Sequence, residues 1–341
     1  MTYRILITSI GGCGVGSQIL ASLKHQSQSL LYIIGTDICS TNVIKDRMDV
    51  FYVVPLASDP CYYDKIMDIV KREKVNLIMP ASLPEMDFFL KHIEVFRNQN
   101  IIICCNNYDT FSRCRYKSIP STILSSAGVV IPQNRIINTI EDCLSIDFYP
   151  IILKPDKDST QSSDVAVAFN QHELQLLTEL YLSRNFNHLI AQEWIIDGEE
   201  ISASVMSDEK MNVIGICTVK RRFETGISYK QKIKYKGRYY YISSGITEGE
   251  VVSYNELNKQ LIKISQLLKS TGPLNLQGIW KNNTFFLFDI HAAITSGCYV
   301  RALAGYNEPL FWINKLLGLS SVSLSYKNCR IIRELRAKVI E

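Results

Sequence analysis

Over its first hundred residues the chain alternates short apolar runs with longer stretches of helical periodicity. The runs at 4–10, 31–35, 50–54, 77–80 and 101–104 read as buried strands. Ile19, Leu20 and Leu23 mark a helix after the first strand, and 62–73 and 84–97 carry two more. Strands and helices alternating at these lengths predict a doubly wound parallel sheet, with the domain spanning 1–110. From 111 to 187 the texture is that of a small α+β unit. It has a helical stretch holding Lys117, then a strand at 149–155 ending in Lys154-Pro155. A hydroxyl-rich loop at 158–163, a strand at 165–169 and a helix at 171–183 follow. From 188 to 341 long alternating runs at 189–195, 201–206, 211–220 and 239–243 predict an antiparallel sheet. A helix at 254–270, a hairpin turning at Asn282-Asn283 and a helix near 308–317 complete that domain.

Composition narrows the class. With 341 residues and 47% hydrophobic content the chain is well cored and long enough for two or three domains. A net charge of +4 is too mild for a nucleic-acid footprint. No run approaches the roughly 18–20 apolar residues of a membrane span. The start runs straight into a strand, so no signal peptide is expected. Ten cysteines are scattered without a CxxC pair, which excludes a thiolate metal site and points to reduced thiols in a cytoplasmic protein.

Four groups of residues carry candidate chemistry. On the hairpin, Gln277 lies on one strand, while Asp289 and His291 share a face of the next because side chains repeat with period 2. An amide, a carboxylate and an imidazole on one face make a cage for a divalent cation carrying phosphate oxygens, or else a plain solvated sheet face. Lys154, fixed by Pro155 at a strand end, and Lys117 offer two cations to a polyphosphate; the bland alternative is two surface lysines. Gln192-Glu193-Trp194-Ile195 could present backbone groups to an adenine edge, and the acids at 199–200 a carboxylate to ribose hydroxyls. Alone, that segment reads equally as a hairpin with acidic ends. Lys220-Arg221-Arg222 with Tyr229 and Lys230 form a basic cluster suited to phosphate or carboxylate. The loop Gly11-Gly12-Cys13-Gly14-Val15-Gly16 with Asp37 comes near a dinucleotide fingerprint but lacks its final spaced glycine. A tight turn and close helix packing need the same glycines.

In this order the residues resemble the ATP-grasp superfamily, in particular ligases related to the synthetase domains of the carbamoyl phosphate synthetase large chain. The likeness runs from Ile5 to about Leu317 and includes Ile78-Met79-Pro80 followed by Glu85. It implies a parallel-sheet pre-ATP-grasp domain and then a two-lobed ATP-grasp module. It implies ATP as substrate, with Lys117, Lys154, the hinge residues Gln192, Glu193, Trp194 and Ile195, and Glu200 holding the nucleotide. Gln277, Asp289 and His291 fall at the magnesium positions. Lys154, Arg222 and Arg301 fall at positions expected to act in the reaction. The family's glycine loop is structural or faces the acceptor, so NAD is not implied.

The implied activity is an ATP-dependent carboxylate–amine ligation through an acyl phosphate, acting on small molecules, with a homodimer as the default assembly. Three departures stand out. The family's Glu-x-Asn-Pro-Arg is here Asp289-Ile290-His291-Ala292-Ala293. The usually glycine-rich phosphate loop has no glycine from Asp156 to Ser163. His291 favours manganese or zinc over magnesium, being softer than an amide oxygen. A degenerate relative that binds nucleotide or a partner without ligation is the alternative, and an NAD enzyme a more distant one.

Overall fold

The computed structural model describes all residues except 1, 13, 27–30, 42–43, 45–46, 158–163, 320–323 and 335–341. The chain divides into two compact units, one made of 1–108 with 293–341 and the other of 109–292.

The first unit opens with β1 (Tyr3–Ile7), α1 (Val15–His25), β2 (Leu31–Asp37), β3 (Val50–Val53), α2 (Tyr62–Glu73), β4 (Leu77–Met79), α3 (Leu83–Lys91), α4 (Ile93–Arg97) and β5 (Ile102–Ile103). The strands pair in parallel in the order β3-β2-β1-β4-β5. Ile5, Leu6 and Ile7 are fully buried, as expected of a strand covered on both faces. On one face Leu6, Ile34 and Ile78 pack against Ile66 and Val70 of α2 and against Phe89 and Phe96. The stretch 84–97, expected as one helix, is two. The chain leaves helical geometry at His92 (φ −104°, ψ 16°), whose Nδ1 sits 2.8 Å from the Phe88 carbonyl.

The second unit begins with α5 (Tyr108–Cys114) and α6 (Ser118–Ser126), then β6 (Asn134–Ile137), β7 (Ile151–Pro155), β8 (Ala166–Ala168), α7 (Gln171–Ser183) and β9 (Leu189–Glu193). Lys117 is not inside a helix; it is the N-cap residue of α6. The strands form a four-stranded sheet, β6-β9-β7-β8, with α7 among the elements packed on it.

A larger antiparallel sheet follows from β10 (Glu199–Ser207), β11 (Val213–Arg221), β14 (Gly249–Val252), β15 (Pro273–Lys281) and β16 (Thr284–His291). Between β11 and β14, β12 (Tyr229–Tyr235) and β13 (Arg238–Ser243) make a separate two-stranded hairpin. Within this unit the large sheet runs β16-β15-β10-β11-β14. Helix α8 (Asn255–Leu267) buries Leu257, Leu261 and Ile264 and bonds through Ser265 to Ser207 at 3.0 Å. It therefore covers the face bearing Ile201, Ala203 and Val205, and leaves the opposite face to the polar residues of alternate positions.

The chain then returns to the first unit with α9 (Cys298–Leu303), α10 (Glu308–Leu316) and β17 (Cys329–Ile331). Both helices pack on α1, and Asn307 caps α10 while its Nδ2 donates to the Ser22 carbonyl at 2.7 Å. From the sequence the last domain was expected to run 188–341; by contacts, 293–341 group with the N-terminal residues. Among the described residues no helix is long and apolar enough to cross a membrane.

Candidate active site

Lys154 is the centre of the site. Strand β7 carries it, and despite its charge only 6% of the residue is exposed. Its Nζ donates to Gln192 Oε1 at 2.9 Å and to the Phe288 carbonyl at 2.8 Å. Gln192 lies diagonally across the β7–β9 pair, so the sheet itself aims both side chains to one face. The Phe288 carbonyl is available because β16 bulges there. Gln277 pairs with Asp289 and Gly278 with Leu287, which leaves Phe288 outside the ladder. Burial pushes the Lys154 ammonium down to about 8, with Lys117 acting the same way and Asp289 and Asp156 opposing.

Asp156, two residues on, is also buried and closes the start of α6. It accepts from the Ser118 N–H at 2.8 Å and the Ser118 hydroxyl at 2.7 Å, and its carbonyl accepts the Lys117 N–H at 2.9 Å. This fixes the backbone of Lys117 relative to β7 and adds a carboxylate near the exposed donors of a helix start.

On the open face of the large sheet, the same bulge brings the hairpin residues together. Gln277 stands directly opposite Asp289, and Asn275 opposite His291. The Asp289 carboxylate lies 3.2 Å from His291 Nε2. Burial alone would raise the Asp289 carboxyl, but His291, Lys117 and Lys154 outweigh it and hold it well below the usual carboxylate range. Asn275, not singled out from the sequence, is 1% exposed and accepts from the Ser202 hydroxyl at 3.3 Å. Its signal was there: position 275 shares the face of 277 by period 2.

The same face continues to Glu200 on β10, whose cross-strand partner is Arg221 rather than Arg222. The Arg221 guanidinium, 3% exposed, donates to Glu200 at 3.0 Å and to the Ile246 carbonyl at 2.9 Å. Burial raises the Glu200 carboxyl while Arg221 pulls it back. Arg222 points elsewhere, 2.9 Å from Glu250 and half exposed. Alternation along β11 separates the two arginines onto opposite faces, a distinction a contiguous basic cluster conceals.

The hinge Gln192–Ile195 closes the site at the small sheet. Here the Glu193 N–H is taken by the Gln133 carbonyl at 2.7 Å and the Trp194 N–H by the Pro150 carbonyl at 2.9 Å. Among the described residues no hydrogen bond satisfies the Ile195 N–H.

Two expected features belong to the first unit. In the glycine loop the Gly11 N–H donates to Asp37 at 2.7 Å, and the other Asp37 oxygen accepts from Cys39 at 3.0 Å. A Cβ at Gly16 would lie 2.5 Å from the Ser9 carbonyl, so that glycine serves close packing of α1 on the turn. Asp37 is thus occupied in closing the turn, and the dinucleotide reading loses its acidic partner. Arg301, expected to act in the reaction, has a side chain with 0% exposure and is enclosed in an ion pair with Glu308 on α10. A guanidinium so enclosed braces α9 against α10 and presents no face to a substrate. The hydroxyl-rich segment 158–163 lies outside the described residues.

Comparison with known proteins bears on the fold. Residues 5–104 match the family model described as PylC-like, N-terminal domain. The carbamoyl phosphate synthase large chain of Archaeoglobus fulgidus is 17% identical over 220 residues, covering 62% of this chain and 20% of its own length. The chain therefore spans about a fifth of the length of that curated relative. The structure of the L-amino acid ligase from Bacillus licheniformis superposes with a TM-score of 0.68 at 15% identity, over 94% of this chain and 75% of the ligase. The D-alanine–D-alanine ligase of Bacillus anthracis complexed with ATP gives a TM-score of 0.59 at 15% identity, over 92% and 96% of the two chains. The chain has the fold of ATP-grasp ligases, as the sequence resemblance implied.

Proposed function

We propose that the protein is an ATP-dependent carboxylate–amine ligase. A substrate carboxylate oxygen attacks the γ-phosphorus of ATP and ADP leaves. An amine nitrogen then attacks the acyl carbon, inorganic phosphate leaves with its electron pair, and the amine loses a proton. The observation that carries this reading is the convergence of a buried lysine, Lys154, with the Asp289–His291 pair and the Gln192 hinge. Phosphoryl transfer demands positioning and charge neutralisation more than covalent participation by the protein, and this cluster supplies both.

In this proposal Lys154 and Lys117 neutralise the phosphates. The open Ile195 N–H and the Glu193 carbonyl meet the adenine edge, with Trp194 beside it, and Glu200, oriented by Arg221, takes the ribose hydroxyls. Gln277, Asp289 and His291 would hold the divalent cation. The donor set fits one: magnesium with phosphate needs only one or two protein carboxylates, and Asp289 is held ionised. Bound there, the cation would polarise the transferring phosphoryl group. The imidazole of His291 suits manganese as well as magnesium. Arg222, half exposed on the opposite face of β11, is proposed to reach the reacting groups only by leaving Glu250, and Arg301 is left out of the site.

The test is ADP release with ATP, Mg²⁺ or Mn²⁺ and a panel of amino acids and small carboxylic acids. Release that needs both an acid and an amine, and that is abolished in Lys154→Ala and Asp289→Ala, supports the reading. Nucleotide binding without turnover across the panel, or turnover indifferent to both substitutions, contradicts it.

A further inference from the structure

The hairpin β12–β13 concentrates charge in a way the rest of the chain does not. Residues 225–247 contain Lys230, Lys232, Lys234, Lys236 and Arg238 and no acidic residue. The whole chain has 37 basic and 33 acidic residues; without these five it has 32 against 33, and its net charge changes from +4 to −1. The basic residues alternate along β12 with Tyr229, Gln231, Ile233 and Tyr235, so the pleat separates them. All five basic residues are exposed, and the intervening four are partly buried.

The inward face is engaged. Tyr235 stacks on Phe169 with ring centroids 4.8 Å apart, and Tyr240 meets the edge of Trp194 at 5.6 Å. The hairpin therefore rests on the hinge that the proposed nucleotide site uses. On its outward face Arg238 lies 3.4 Å from the exposed Asp197. Lys232 and Lys236 lie over the rings of Tyr239 and Tyr235 at 4.3 and 5.1 Å.

We propose that this outward face docks an acidic polypeptide segment. Lys232 and Lys234, in the regular part of the ladder, stand about 6.6–6.8 Å apart along the strand, and Lys230 precedes them at the register shift between Tyr229 and Gln231. An extended chain with acidic residues at alternate positions repeats carboxylates at the same interval. Both outer edges of the two-stranded hairpin lack a strand partner among the described residues, so such a chain could also add backbone hydrogen bonds. A single-stranded nucleic acid would offer comparable charge but needs open rings for its bases. Here Tyr235 and Tyr240 face inward, Tyr241 is stacked with Phe223 at 5.7 Å, and the exposed Tyr239 is capped by the Lys232 ammonium. The charge pattern is present and the stacking platform is not, which favours protein.

The experiment is fluorescence anisotropy of the full chain with a labelled twelve-residue peptide alternating Glu and Ser, with labelled dT12 as competitor class. Expected is saturable peptide binding that weakens with added salt and falls about tenfold in Lys232→Gln/Lys234→Gln. Lys232→Arg/Lys234→Arg should retain it, as should the control Lys259→Gln/Lys263→Gln on α8. No saturable binding at low salt overturns the proposal. So does equal loss in the control, or tighter binding of dT12 than of the peptide. ADP release by the hairpin variants without peptide should stay at the wild-type level, so a failed ligase assignment and a failed docking assignment give different results.

Discussion

Replacing Lys154 by methionine separates what the buried ammonium does for catalysis from what it does to stability. Desolvation holds the folded-state pKa near 8 against an ordinary value of 10.5. Each unit is worth about 1.4 kcal/mol, so keeping this lysine charged at pH 7 costs the fold about 3 kcal/mol. The side chain is only 6% exposed, so solvent does little to reduce that figure. Its hydrogen bonds to Gln192 and Phe288 offset much of the cost at about 1.5–3 kcal/mol each, and the net effect of Lys154→Met at pH 7 is small. The pH dependence is the sharper observable. Between the folded and unfolded pKa values the unfolded chain binds the extra proton, so wild-type stability rises with pH across this window. From pH 7 to pH 9 the wild type should gain roughly 1–1.5 kcal/mol relative to Lys154→Met, while the variant should have lost ADP release throughout. Urea denaturation of both proteins at the two pH values measures the difference. A flat difference, or one that falls with pH, refutes the desolvated ammonium on which the site's electrostatics rest.

Glu85, 5% exposed, accepts from the hydroxyls of Thr8, Ser9, Tyr62 and Ser82 at 2.6, 2.6, 2.9 and 2.7 Å. An amide there would aim hydrogens at hydroxyl donors, so Glu85→Gln should cost about 1–3 kcal/mol by denaturant titration; a change under a few tenths would show the cluster to be slack. Glu308→Gln removes the carboxylate charge paired with the fully buried Arg301 guanidinium, and a loss of about 3–5 kcal/mol is expected by the same method. His291→Asn should lower the ratio of Mn²⁺- to Mg²⁺-supported ADP release, measured with each metal at saturation; an unchanged ratio would remove His291 from the metal. Arg221→Met should weaken ATP binding more than Arg222→Met in equilibrium dialysis, since only Arg221 reaches Glu200.

Local pattern carried the parallel sheet and the hairpin because each is set by neighbours in sequence. The apolar runs of β1, β2 and β4 are continuous, as burial on both faces requires, and period 2 put Asp289 and His291 on one face; a regular ladder from the Asn282-Asn283 turn would set Gln277 opposite Phe288, and the bulge there moves it opposite Asp289. One further signal was local but missed, and two things depended on distant partners. The alternation of lysine with larger side chains from Tyr229 to Tyr235 was itself a strand signal, hidden by reading the segment as a charge cluster. Arg221 and Arg222 are distinguishable only once Ile201 is known to face Lys220, which puts Arg221 beside Glu200. The enclosure of Arg301 depends on Glu308 seven residues away on the next helix, and no local periodicity forecasts an ion pair that leaves both side chains at 1% exposure or less.

The central claim is that ATP activates a carboxylate as an acyl phosphate beside Lys154 and Asp289. Isotope transfer tests it most directly. An acid that supports ADP release is supplied with its carboxylate oxygens as ¹⁸O, together with ATP and an amine, and the inorganic phosphate formed is examined by mass spectrometry. Acyl-phosphate chemistry predicts one ¹⁸O carried from the carboxylate into each phosphate, with ADP as the nucleotide product. Unlabelled phosphate, or label recovered in AMP, contradicts the account.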